Sequence, residues 1–185
     1  MNTTEYTLAI VNELQRSVKL ILGTGNDALV EAIIQSRKIF LAGAGRSGLM
    51  ARAFAMRLMH LGLDVHVVGE TVTPGLRKED LLIIASGSGE TKSLISMAGK
   101  AKGLEAKLAV VTISPDSTIG RLADIIISLP GSPKDQSESD YHTIQPMGSL
   151  FEQTLLIFFD ATILSLMEKQ GLDSSSMYGN HANLE

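Results

Sequence analysis

Short apolar runs alternate along this chain with segments of helical period, and this alternation constrains the fold more than any other feature of the sequence. The runs lie at residues 38–42, 64–68, 80–85, 106–112 and 124–128. A strand that is apolar on both faces is typical of a parallel sheet, because helices cover that sheet on its two sides. The sequence therefore predicts an α/β fold with a doubly wound, five-stranded parallel sheet.

Three further regions of helical period flank the alternating part. Residues 4–22 and 26–36 predict N-terminal helices, and residues 148–170 predict a long C-terminal helix that is apolar over much of its circumference. Packing against one layer of its own chain would cover only one side of such a helix. We therefore expect the helix to contribute to a subunit interface in a homo-oligomer. Residues 130–146 are rich in Pro, Ser and acidic residues and predict a loop.

Length and composition exclude several classes of protein. The 185 residues, 44% of them hydrophobic, suffice for one sizeable core, so we expect a single domain over residues 1–185. A net charge of −4 argues against a nucleic-acid partner, and the lack of cysteine excludes disulfides and thiolate chemistry. Glu5, Glu13, Arg16 and Lys19 interrupt the first apolar pattern, so we expect no signal peptide, no membrane contact and a cytoplasmic location.

The first glycine-rich turn, GAGRSG, follows the first predicted strand and allows two interpretations. Gly43, Gly45 and Gly48 match the G-x-G-x-x-G pattern of dinucleotide-binding proteins, and Glu70 lies near the end of the next strand. An NAD-dependent oxidoreductase is therefore one alternative. The other is that a tight strand-to-helix turn requires glycines for packing alone.

The second glycine-rich turn favours a small anion over a dinucleotide. It comprises Ser86, Gly87, Ser88, Gly89, Glu90 and Thr91. Its hydroxyl and backbone N–H groups meet at the positive end of the next helix, and its glycines let the backbone approach a phosphate closely. Both turns follow strands of one parallel sheet, so we expect Ser47 and Arg46 from the first turn to share a crevice with the second. No G-K-[ST] follows either turn, which disfavours hydrolysis of a nucleoside triphosphate.

With these residues in place, the chain is similar to a known family. GAGRSG and SGSGET resemble the sugar isomerase (SIS) domain, a flavodoxin-like fold whose serine- and threonine-rich turn holds a sugar phosphate. The segments QPMGSLFEQ (residues 145–153) and NHANLE (residues 180–185) narrow the resemblance to the 6-phospho-3-hexuloisomerases. The resemblance implies interconversion of 3-hexulose 6-phosphate and fructose 6-phosphate through an enediol, in the ribulose monophosphate pathway of formaldehyde fixation. It also implies a homotetramer with no cofactor and no metal.

The same resemblance implies roles for individual residues. Substrate would be bound by Gly45, Arg46, Ser47 and the turn of residues 86–91, and Glu152 would be the base. A carboxylate on an otherwise apolar helix suits that role, since proton transfer next to a carbonyl needs a positioned base.

The enediol also needs a second group that handles protons at the oxygens, and we expect His181, supplied by the tail of a neighbouring subunit. The alternative is that His181 only orders the tail or opens the sugar ring. His60 and His66 are expected to be structural. The alternatives are a non-catalytic sugar-phosphate sensor and another sugar-phosphate isomerase, such as one acting on arabinose 5-phosphate.

Overall fold

The computed structural model describes residues 1–21, 25–132 and 143–184, and its centre is a five-stranded parallel sheet. The strands are β1 (Ile39–Gly43), β2 (Val65–Val67), β3 (Leu81–Ala85), β4 (Lys107–Thr112) and β5 (Ile125–Ser128). Their order is β2-β1-β3-β4-β5, and every neighbouring pair is parallel. Four strands lie within the predicted apolar runs and β1 extends one residue beyond its run, to Gly43, so the predicted sheet is confirmed. The order reverses beside β1, which is where doubly wound sheets open a crevice at their carboxyl edge.

The helices are α1 (Thr3–Val18), α2 (Asn26–Gln35), α3 (Gly45–His60), α4 (Lys92–Gly103), α5 (Thr118–Leu122), α6 (Ser149–Gln170) and α7 (Ser174–Tyr178). The N-terminal helices and the long C-terminal helix are confirmed. Both α5 and α7 are additional to the prediction, because five residues are too few to show a helical period. α4 begins at Lys92, with Thr91 as its N-cap.

The sheet divides the core into two layers. Side chains alternate along each strand, so Leu41 of β1 packs with α2, α3 and α6, whereas Phe40 packs with α4 and α5. The first layer is the larger, and Phe54 of α3 stacks on Phe159 of α6 with ring centroids 4.2 Å apart. This stacking joins α6, which follows the predicted loop, to the helix that follows β1.

Core packing accounts for much of the apolar character of α6, although Leu164 and Ile157 remain 65% and 39% exposed. Its length and mean hydropathy of 1.5 would suffice for a membrane span, but 56% of its most apolar 18-residue stretch is buried inside the protein. α6 is therefore a core helix and not a membrane span.

The first helix is oriented differently from an ordinary amphipathic helix. Leu8 and Val11 are 60% and 54% exposed, so the apolar stripe of α1 faces outward. The buried residues of α1 are instead Glu13 and Ser17. A stripe of this kind ordinarily faces the core of its own chain, so the outward side of α1 is an apolar surface without a partner among the described residues.

Candidate active site

Three helices begin at one cavity of about 380 Å³ at the carboxyl edge of the sheet. They are α3, α4 and α6, whose first turns contribute Ser47, Leu94 and Glu152 to the cavity wall. None of the three N-cap residues makes a side-chain hydrogen bond to its helix. The first backbone N–H groups of a helix lack intrahelical partners and carry the positive end of its dipole. The cavity is thus arranged to receive an anion.

Close packing of β1 against α3 explains the glycines in the turn that joins them. A Cβ on Gly43 would lie 2.9 Å from Gly48 Cα, and a Cβ on Gly48 would lie 2.6 Å from the Gly43 carbonyl oxygen. Strand and helix touch at these two positions, so the G-x-G-x-x-G pattern needs no dinucleotide to account for it. Glu70, the residue that would recognise a ribose, is paired with Arg52 Nη1 at 2.8 Å and lies outside the cavity wall.

The turn of residues 86–91 presents its hydroxyls to the cavity. Ser86, Gly87, Ser88 and Thr91 all line it, as does Gly45 from the first turn. Ser86 Oγ accepts from Gly89 N at 3.2 Å, and Ser88 Oγ accepts from Glu90 N at 3.2 Å. Each oxygen is the acceptor in its bond, so its own hydrogen is available to a bound anion.

Two predicted binding residues lie behind this turn and not in the cavity wall. Gly89 is buried at φ +63°, and a Cβ there would lie 1.9 Å from Ser117 Oγ. Glu90 Oε1 accepts from Thr118 N at 2.7 Å, and this hydrogen bond holds the pKa of Glu90 below its ordinary value. Gly89 and Glu90 therefore attach the turn to the start of α5, in a supporting position that their place in the SGSGET motif could not reveal.

Glu152 lies in the first turn of α6 with its side chain in the cavity wall, only 8% exposed. Arg46 Nη1 lies 3.2 Å from Glu152 Oε2 and donates to Ser149 Oγ at 2.9 Å. The Arg46 side chain is 53% exposed and is outside the cavity wall. Carboxylate and guanidinium therefore meet at the rim of the cavity, where α3 and α6 begin.

His181 lies far from the cavity of its own chain. Its ring packs on His60 with centroids 5.4 Å apart and near Tyr178, and Asn180 Nδ2 donates to the His60 carbonyl oxygen at 2.9 Å. α3 begins at the cavity and ends at His60, and its 16 residues rise about 22 Å at the usual 1.5 Å per residue. The structure thus does not bring His181 to Glu152 within one chain.

His60 and His66 are also placed away from the cavity, since neither lines its wall. Burial, together with the nearby Arg57 charge, lowers the pKa of His60. His66 Nε2 lies 2.8 Å from Asp64 Oδ1. His142 lies outside the described residues.

The cavity wall also contains residues that the sequence prediction missed. They are Ala44, Ala85, Leu94, Ile113, Ser114, Ser132, Gly148 and Phe151. Ser114 follows β4, so the rule that located the two glycine-rich turns at strand ends also applies to it. Ser132 lies in the segment predicted only as a loop, and no motif marks it.

Within residues 1–21, 25–132 and 143–184, no group of three or more His, Asp or Glu side chains is placed to hold a metal ion. The expectation of a reaction without metal or cofactor stays a prediction.

Known proteins resemble the chain in sequence and fold. The SIS domain model matches residues 32–160. The 3-hexulose-6-phosphate isomerase of Bacillus subtilis is 62% identical over 185 residues, which is the whole of both chains. The 3-hexulose-6-phosphate isomerase of Mycobacterium gastri is 43% identical over 157 residues, 85% of this chain and 78% of that one. A crystal structure from Methanococcus jannaschii, described as inferring a function of 3-hexulose-6-phosphate isomerase, superimposes with a TM-score of 0.84 at 37% identity and covers 98% of this chain and 99% of that one.

Proposed function

The chain belongs to the SIS-domain family and, within it, to the 3-hexulose-6-phosphate isomerases, and from that premise we propose how its cavity interconverts 3-hexulose 6-phosphate and fructose 6-phosphate. The observation that carries the proposal is one buried carboxylate, Glu152, in the wall of a cavity where three helices begin and serine and threonine hydroxyls converge. The first feature supplies a base, and the second supplies an anion site.

The phosphate lies against the turn of residues 86–91. Ser86, Ser88 and Thr91 donate hydroxyl hydrogens to it, and Ser47 donates from the first turn of α3. Phosphates bind readily at helix N-termini, since the unpaired N–H groups and the dipole both favour negative charge. Gly89 and Glu90 support this turn from behind through Ser117 and Thr118.

Glu152 performs the proton transfer. The carboxylate removes the proton on C2 of 3-hexulose 6-phosphate, next to the C3 carbonyl, and an enediol forms between C2 and C3. O3 takes up a proton as this enediol forms, and O2 gives one up as the carbonyl re-forms at C2, so one proton passes from O2 to O3 through the second group. The same carboxylate, now protonated, returns the carbon-bound proton to C3. Arg46 orients Glu152 from 3.2 Å and places a positive charge near the oxygens where negative charge develops.

The test of this role is Glu152→Gln, which keeps the shape of the side chain and removes the base. Conversion of enzymatically made 3-hexulose 6-phosphate to fructose 6-phosphate, in the presence of EDTA, should fall in kcat by at least about 10²-fold, with binding of fructose 6-phosphate retained. Glu168→Gln, the same change at an exposed position of α6, is the matched control. A Glu152→Gln enzyme as active as this control would remove Glu152 from the role.

The same assay separates the remaining alternatives. A sugar-phosphate sensor would bind fructose 6-phosphate and show no turnover, and an isomerase of arabinose 5-phosphate would prefer that substrate in direct competition. Turnover in deuterated water should leave deuterium at C2 or C3. Complete absence of deuterium at partial conversion would favour a hydride shift over a carboxylate base.

We further propose a homotetramer in which His181 completes the site of a neighbouring subunit. The apolar stripe of α1 is exposed in the single chain, and His181 lies at the far end of α3 from its own cavity, so both features are consistent with a partner copy. The protein would act in the cytoplasm on a small sugar phosphate, with neither nucleic acid nor membrane as partner. The net charge of −4 supports the lack of a nucleic-acid partner.

Subunit mixing tests the shared site. An enzyme lacking residues 180–185 should bind fructose 6-phosphate but turn over slowly. Mixed with full-length Glu152→Gln under verified subunit exchange, it should regain activity, because some sites then combine an intact Glu152 with an intact tail. Mixed oligomers no more active than the separate variants would refute the shared site and leave the isomerase assignment unaffected.

A further inference from the structure

A second buried carboxylate, Glu13 of α1, lies outside the cavity and is 3% exposed. Its two oxygens accept hydrogen bonds from Thr143 Oγ1 at 2.7 Å, from Ile144 N at 2.8 Å and from Gln145 Nε2 at 3.0 Å. A buried charge is costly unless it is hydrogen-bonded, and these donors satisfy it. Glu13 thus attaches the first helix to a segment 130 residues further along the chain.

That segment leads directly into the helix of the proposed base. The Thr143 hydroxyl also accepts from Gln145 N at 3.0 Å, which closes the segment on itself. Ser149 N then donates to the Pro146 carbonyl oxygen at 3.2 Å, and Glu152 N donates to the Gly148 carbonyl oxygen at 3.0 Å. The path from the Glu13 carboxylate to the first turn of α6 is therefore short and hydrogen-bonded at both ends.

Between these two ends, Met147 adopts a left-handed conformation with φ +58°. A non-glycine residue there costs about 1–2 kcal/mol and persists only when the structure on both sides holds it. On one side α6 is fixed by its packing on α3. On the other side the Glu13 carboxylate accepts hydrogen bonds from each of residues 143–145.

We propose that Glu13 is a positioning residue, which fixes residues 143–145 so that α6 begins where Glu152 faces the cavity. The proposal rests on the role given above to Glu152. Glu13 is not part of the cavity wall, and it acts through the backbone that precedes α6. Since a catalytic group displaced by about 1 Å can lose about 10²-fold in rate, the start of α6 must be held accurately.

The ionisation of Glu13 agrees with this role. Burial raises the pKa of Glu13, but hydrogen bonds from Thr143, Gln145 and Ile144 outweigh burial and hold the pKa below its ordinary value. Glu13 is therefore a carboxylate at neutral pH. Hydrogen bonds to a charged acceptor are stronger than those between neutral groups, and a neutral amide at this position would also present hydrogens to its donors.

The experiment compares Glu13→Gln with wild type, with Glu152→Gln and with Gln15→Ala, a control at an exposed position of the same helix. All are assayed as full-length chains at a temperature where circular dichroism shows them folded. For Glu13→Gln we expect kcat to fall about 10- to 100-fold, while the Kd for fructose 6-phosphate stays close to that of wild type. The phosphate turns follow β1 and β3 and do not depend on α1. Gln15→Ala should match wild type in both quantities.

Two variants of Thr143, which donates to the Glu13 carboxylate, distinguish an effect on the position of α6 from an effect on stability. Thr143→Val removes the hydroxyl at nearly constant shape and should lower kcat, whereas Thr143→Ser keeps the hydroxyl and should retain most of it. Glu13→Gln combined with Thr143→Val should have a kcat only slightly below that of Glu13→Gln alone, because both changes break the same hydrogen-bonded contact. If Glu13→Gln fails to fold, the Thr143 pair decides the question.

Three results would overturn the inference. They are a folded Glu13→Gln enzyme with wild-type kcat, a loss of kcat matched by an equal loss of affinity for fructose 6-phosphate, and equal activity of Thr143→Val and Thr143→Ser. Wild-type activity of Glu152→Gln would instead refute the proposed base, and this inference with it. If Glu152→Gln is inactive and Glu13→Gln is fully active, the positioning role of Glu13 is refuted and the proposed base stands.

Discussion

Gly89→Ala should destabilise the protein far more than its single added methyl group suggests. A Cβ at Gly89 would lie 1.9 Å from Ser117 Oγ and 2.5 Å from Ser117 Cβ, and Ser117 is buried. Ser117 Oγ also caps α5 by accepting from Gly120 N at 3.2 Å. The methyl group therefore cannot enter without displacing a residue that has another function.

The expected loss has two parts. Alanine at φ +63° costs about 1–2 kcal/mol relative to an ordinary helical conformation, and loss of a serine N-cap costs about 1 kcal/mol. Together they lower the free energy of unfolding by about 2–3 kcal/mol. In a chain of this size each kcal/mol shifts the Tm by about 2–4 °C, so the Tm should fall by about 5–10 °C. Displacement of the turn should also weaken binding of fructose 6-phosphate.

Gly99→Ala is the matched control, because Gly99 is exposed within α4 and a Cβ there meets nothing within 4 Å. The same chemical change should stabilise the protein by about 0.5–1 kcal/mol, since alanine is the better helix former. Calorimetry at equal protein concentration measures both Tm values. Adding Ser117→Gly to Gly89→Ala should recover part of the loss, since glycine is a tolerable N-cap. A Tm for Gly89→Ala at or above that of wild type would show the reasoning to be wrong.

Three further predictions concern the site and its surroundings. Ser88→Asp places a negative charge among groups arranged for an anion, so calorimetry should show affinity for fructose 6-phosphate reduced by about 10-fold or more with the fold retained; unchanged affinity would make the turn purely structural. Arg46→Gln removes the cation 3.2 Å from Glu152, and steady-state kinetics should show a lower kcat; a wild-type kcat would leave Arg46 without a role in turnover. The pKa of His60 is lowered in the folded protein, first by burial, so His60 takes up a proton more readily in the unfolded chain than in the folded one. The free energy of unfolding should then decrease as pH falls below about 6.5, and His60→Phe should reduce that slope in urea titrations at each pH; an unchanged slope would assign it to other groups.

The sheet and the convergence of the two glycine-rich turns were predictable because both depend on local patterns. A strand buried on two faces must be apolar throughout, so residues 80–85 and 106–112 identify themselves without any knowledge of their neighbours. The carboxyl ends of parallel strands lie at one edge of the sheet, so the hydroxyls that follow β1 and β3 were expected to lie close together. Ser47, Ser86 and Thr91 do line one cavity. The prediction of a single domain over residues 1–185 stays a prediction.

The placement of Gly89, Glu90 and Glu13 was decided only by the tertiary structure. A motif reports which residues are adjacent along the chain, not which side of a turn faces a cavity, so Gly89 and Glu90 were grouped with the binding residues although they support the turn from α5. Helical periodicity likewise identified the apolar stripe of α1 but not its direction, and it gave no sign that Glu13 is buried. It is buried because Thr143, Ile144 and Gln145 supply its hydrogen bonds. A pairing over that separation has no signature in a sequence, since it exists only once the core has brought α1 and α6 together.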